Sequence, residues 1–296
     1  MTSVNKNLTS DFKRVLASAA TGLALAVAAA PVLGQAPQAS GASAAEAATY
    51  ADLATLSERS ELVIRAQIRR QSRVKDERSP GLAPGFARLY IEADTLALIA
   101  GSRSVGESLA YLVDVPLDAK GKVPKLKKRE VLLFANVVPG RPGSIQLAAK
   151  AAQFDYAPEL EARLRPILRE LVAADRPPTI TGIADALAVQ GTLTGESETQ
   201  VFLASDSGAP VSLSVIRRPG QRPAWGVSWG EIIDSSARPP APQTLRWYRL
   251  ACALPAQLPS SANLARDPAA RRLAAQDYAF VMEQLGPCSR RITEPA

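Results

Sequence analysis

The sequence predicts an α+β protein: a small antiparallel β-barrel, OB-like, in the first half, followed by a β-meander with two C-terminal helices. Three observations carry this expectation. Apolar segments rich in β-branched residues alternate with polar positions at a period of two, which suits half-buried strands. Gly, Pro and charged residues separate these segments at short intervals, as antiparallel connections require. Apolar spacing of three and four residues, the mark of an amphipathic helix, is confined to a stretch after the first strand group and to the C-terminal region.

In the first half, residues 61–69 (ELVIRAQIR), 88–100, 108–115 and 130–137 read as strands, and 147–154 adds a fifth. Residues 157–174 read as a helix, with Asp155 as cap, Pro158 in the first turn, and Leu160, Leu164, Ile167, Leu168 and Leu171 as its stripe. Pro166 is expected to break or kink it. In the second half, residues 199–204, 211–217 and 224–233 form a meander. Helices follow at 243–253 and 268–285, the latter capped by Asp267 and ended by Gly286.

Lys6, Lys13 and Arg14 precede an uncharged, Ala-rich run over residues 15–33, the order of a secretory signal peptide. The run is interrupted by Pro31 and weakly apolar, so cleavage is expected between Gln35 and Glu46, and an uncleaved N-terminal anchor is the alternative. Residues 1–44 are assigned to the signal and the start of a linker, 45–175 to a β-rich domain ending in a helix, and 176–296 to the meander with two helices. Two cysteines, Cys252 and Cys288, are an even number in an exported chain, and a disulfide between the ends of the last two helices is expected. Together these place the protein in the periplasm.

The absence of histidine excludes Ser-His-Asp and Cys-His catalysis and the usual zinc or copper sites; no metal and no cofactor are expected. Carboxylate chemistry stays open, and Glu196, Glu198 and Glu231, near the meander, are the residues that would carry it. Net charge is +7 for the whole chain, and +5 once residues 1–44, with three bases and one acid, are removed. Positive charge is densest over residues 120–129 (KGKVPKLKKR), where Lys125, Lys127, Lys128 and Arg129 form a candidate surface for an anionic component. No aromatic residues interleave with this run, so nucleic acid is not an expected partner.

Residues 226–230 fit the G-x-S-x-G pattern and residues 72–75 the S-x-x-K pattern. Neither sits in the strand-to-helix or helix-start context its chemistry needs. On the meander, Val211, Leu213, Val215, Trp225, Val227 and Trp229 share one face, while Ser212, Ser214, Gly226, Ser228 and Gly230 make the other small and flat. Either another part of the protein packs closely there or a ligand lies there, so Ser212, Ser214, Ser228 and Glu231 are candidate binding residues.

Residues 195–203 (GESETQVFL), 222–234 (RPAWGVSWGEIID), 244–252 (TLRWYRLAC) and 277–288 (DYAFVMEQLGPC) resemble segments of uncharacterised exported, periplasmic proteins of proteobacteria. The resemblance covers mainly the second half and implies export; it implies no activity and no catalytic residue. The expected function is a non-catalytic binding or accessory protein whose partner is an envelope protein or an anionic surface component. The alternatives are a carboxylate-based hydrolase and a peripheral inner-membrane protein held by its N-terminus.

Overall fold

The structure, a computed structural model, describes residues 48–230 and 237–294, so the expected signal peptide and Glu231 lie outside the described residues. The fold is α+β, with two antiparallel sheets and four helices. The first sheet contains β1 (Leu62–Arg73), β2 (Phe86–Gly101), β3 (Ser108–Pro116), β4 (Glu130–Val137), β5 (Ile145–Leu147) and β6 (Gln153–Asp155). Its order is β3-β2-β1-β4-β5, and β6 pairs with β4 beyond β5. Alternation does what period two requires. Ile64, Ala66 and Ile68 of β1, Leu89 and Ile91 of β2, and Tyr111 and Val113 of β3 enter one core enclosed by the curling sheet.

A closed barrel, expected from the sequence, is not found among the described residues. The outer strands β3 and β5 meet at one isolated parallel bridge, Ala110 with Ser144, where the Ala110 N–H donates to the Gly143 carbonyl at 2.8 Å. Two causes keep the seam open. The strand expected over residues 147–154 is split into β5 and β6, each of three residues, by an excursion through residues 148–152. Strand directions also alternate around the sheet, so five strand positions bring β3 against β5 in parallel, the less stable pairing.

The opposite face of β1, β4 and β6 is covered by helices. α1 (Tyr50–Arg59) was not expected from periodicity, because Ala51, Leu53, Ala54, Thr55 and Leu56 bury it on nearly every side. Its start carries a capping box: Thr49 Oγ1 accepts from the Asp52 N–H at 3.1 Å, and Asp52 Oδ2 accepts from the Thr49 N–H at 2.9 Å. α2 (Pro158–Val172) is not broken at Pro166. Pro166 and Ala162 are both exposed, on the side of the helix where solvent can satisfy the carbonyl that loses its partner. Asp155 does not cap this helix; it pairs with Arg129 at 3.1 Å, and Ala157 is the N-cap residue.

The second sheet has the order β10-β9-β8-β7, from β7 (Ile180–Gln190), β8 (Ser197–Ser205), β9 (Val211–Arg217) and β10 (Ala224–Ser228). β7 is a strand the sequence reading lacked, since two register shifts between Ile180 and Asp185 disturb its alternation. α3 (Leu245–Ala251) and α4 (Pro268–Leu285) follow, with the expected Asp267 cap and Gly286 terminus on α4. Leu250, Tyr278, Val281 and Leu285 share a core over the second sheet. Leu245 and Tyr248 of α3 join the other core, under α1 and α2. The Cys252–Cys288 disulfide is present, with Cα atoms 5.0 Å apart. No helix among the described residues is long and apolar enough to cross a membrane.

Candidate functional site

The open seam between β3 and the β5–β6 line forms a concave surface that joins charge to apolar side chains. One cavity of about 460 Å³ lies along β2, β3 and β5 and is lined by Tyr90, Leu112, Arg141 and Leu147, among others. A second, of about 680 Å³, continues along β3 and β6 past Phe86, Leu117 and Gln153. Val113, Asp114 and Lys150 line both, so the two are successive parts of one groove.

Strand geometry dictates what the groove presents. Even-numbered residues of β3 point their side chains away from the enclosed core, which leaves Leu112 50% exposed beside Tyr90, 43% exposed, on the neighbouring strand. Asp114 and Arg88 are opposite one another in the β2–β3 ladder and form a two-pronged ion pair at 2.7 and 2.8 Å. The Arg88 hydrogen bonds hold the Asp114 carboxyl below its ordinary range, against the opposing effect of desolvation, and Lys150 adds to the lowering. From within, Tyr111 crosses the seam and donates its hydroxyl to Gln153 Oε1 at 2.7 Å. Burial pushes the Tyr111 hydroxyl pKa upward, so it stays a donor.

Charge at the groove is unbalanced toward positive. Asp114 and Asp155 are matched by Arg88 and Arg129, Asp118 accepts from the Lys120 and Lys122 N–H groups, and Arg141 and Lys150 are exposed and form no ion pair among the described residues, a net excess of one positive charge. The basic loop of residues 120–129 borders the second cavity through Pro124, Leu126 and Arg129. This loop is pinned. Leu126 is buried, its N–H donates to Gln71 Oε1 at 2.5 Å, and Gln71 Nε2 donates to the Pro124 carbonyl at 2.9 Å. Lys125, Lys127, Lys128 and Arg129 are consequently displayed to solvent beside the seam rather than folded over it.

The residues proposed on the meander are placed differently. Ser212, Ser214 and Ser228 are buried, and Ser214 Oγ donates to Gln200 Oε1 at 3.0 Å. Over this face the chain passes so closely that a Cβ on Gly226 would sit 2.2 Å from the Ala237 carbonyl oxygen. Close packing therefore occupies the small face at Gly226. Glu196 accepts from the Leu193 N–H at 3.3 Å within the β7–β8 turn, and Glu198 accepts from Gln200 at 2.6 Å on the strand surface. Each is engaged locally. Ser228 of the G-x-S-x-G match lies within β10 rather than at a strand-to-helix turn.

Arg88, Tyr90, Asp114, Arg141 and Lys150 were not singled out from the sequence. Exposed apolar residues at alternate positions of two adjacent strands, Tyr90 and Leu112, were the available signal. No protein-family model matches this chain, and comparison with curated proteins finds no similar sequence.

Proposed function

We propose that this is an exported, periplasmic, non-catalytic binding protein, and that the seam groove of its first sheet takes an anionic component of the envelope. The observation that carries the reading is the groove itself: exposed Tyr90 and Leu112 stand beside Arg141 and Lys150, which form no ion pair among the described residues, with further lysines of the pinned loop at its border. Apolar walls with a few placed charges are what a binding cleft needs. Oxidation of Cys252 and Cys288 supports an oxidising compartment, in keeping with the Lys-rich, then apolar, N-terminal sequence.

The first sheet is read here as an OB-like barrel left partly open. Strand order supports this, since β1 is flanked by β2 and β4, and β3 meets the β5 end at Ala110. The groove lies on the β2–β3 surface near the β4–β5 connection that contains Arg141. Fluorescence anisotropy of labelled poly-glutamate with the full chain tests the reading. Binding that weakens about tenfold in Arg141→Glu/Lys150→Glu, and less in Lys127→Glu/Lys128→Glu, is expected. Equal loss in both variants would move the site to the loop, and no binding would overturn the reading.

A further inference from the structure

We infer that the ligand of this groove is an extended acidic peptide segment that adds as a strand between β3 and β6, an inference that rests on the groove reading above. The two walls of the seam are both unpaired strand edges. In the β2–β3 ladder, Leu117 N–H bonds back to Gly85 and Thr95 N–H bonds to Glu107, so odd-numbered residues of β3 face β2. Ala110 faces the other way, to Gly143, and Leu112 and Asp114 share its direction. Across the seam, the Tyr156 N–H bonds to Glu130, and the Ala152 carbonyl accepts from Phe134, so even-numbered residues there face β4. Gln153 and Asp155 accordingly turn their backbone groups toward β3. Among the described residues, the backbone groups of Leu112, Asp114, Gln153 and Asp155 that face the seam make no backbone hydrogen bond across it.

Direction completes the case. β3 and β6 run the same way, because four antiparallel steps, through β2, β1 and β4, lead from one to the other. A strand inserted antiparallel to β3 is therefore antiparallel to β6 as well, and six strands close where five cannot without a parallel junction. Its alternate side chains would point inward toward Tyr111 and Val113 and outward toward Tyr90, Arg141 and Lys150. Small apolar residues suit the first row and acidic residues the second. Main-chain pairing would supply affinity and the side-chain rows selectivity.

The test uses a capped octapeptide alternating valine and glutamate, the same peptide N-methylated on every second amide, and poly-glutamate, each titrated into the full chain. Strand addition predicts that the octapeptide slows amide exchange of Leu112 and Asp114 by about tenfold or more at saturation, and that N-methylation on the pairing side abolishes binding. Lys150→Glu should weaken the octapeptide without unfolding the chain, as Lys150 is exposed. If the methylated and unmethylated peptides bind alike, or Leu112 and Asp114 gain no protection, strand addition is wrong while the anionic groove stands. If none of the three probes binds, both fall.

Discussion

Asp52 is a single residue on which both ends of the described chain depend. It is fully buried, and its carboxylate accepts from the Thr49 N–H and Oγ1 at the start of α1 and from the Arg291, Ile292 and Thr293 N–H groups and Thr293 Oγ1 near the C-terminus. Desolvation alone would raise its pKa, but these hydrogen bonds outweigh it and hold the carboxyl down at about 2, against an ordinary 3.8. A folded pKa below the unfolded one stabilises at pH above the unfolded value and ceases to as pH falls through the folded value. The contribution, roughly 2 kcal/mol, is therefore complete above pH ~5 and lost progressively between pH ~4 and ~2. Urea midpoints measured across that range should fall more steeply for the native chain than for Asp52→Asn. The variant itself should lose about 2–3 kcal/mol at neutral pH, because an amide nitrogen replaces one accepting oxygen and faces donors. Parallel pH profiles for the two proteins would contradict the assignment.

Between elements, the disulfide and the Asp52 contacts hold the same C-terminal segment. Cys288 is tied to the end of α3, and three residues later the chain reaches Asp52 on α1. Closing a loop of 36 residues stabilises by roughly 3–4 kcal/mol on the chain-entropy account. Cys288→Ser should lower stability by up to that amount and raise amide exchange at Arg291–Thr293 as well as at the end of α4. Combining it with Asp52→Asn should cost less than the sum of the single changes, since either one already frees the segment. Full additivity would mean the two contacts act independently. α4 and its caps were legible in the sequence because Asp267, Pro268 and Gly286 signal a helix by local chemistry alone. α1 and β7 were not, for opposite reasons. α1 is buried all round, which erases the polar stripe, and β7 is broken in register, which erases the alternation. Pro166 misled because solvent exposure, invisible in sequence, decides whether an orphaned carbonyl matters.

For the whole molecule, the strands of the first sheet were readable one by one, but the seam was not. It arises from a parity of strand directions and from the short lengths of β5 and β6, and neither is a property of any one segment. The basic run over residues 120–129 stood out in the sequence and is displayed as a pinned loop, yet Arg141 and Lys150, which line the groove and form no ion pair among the described residues, belong to connections without a distinctive sequence pattern. Edge strands left open in this way are normally blunted by charge or proline, and here Pro116 ends β3 while Leu112 and Asp114 stay open. Two open strand edges bordered by positive charge are consistent with a protein that completes its sheet on binding. The most direct measurement is a map of backbone amide shifts in the isotope-labelled full chain as poly-glutamate is added. The account predicts that the largest changes fall on Tyr90, Leu112, Asp114 and Lys150, along the seam; changes confined to Lys120–Lys128, or spread evenly over exposed lysines and arginines, would contradict it.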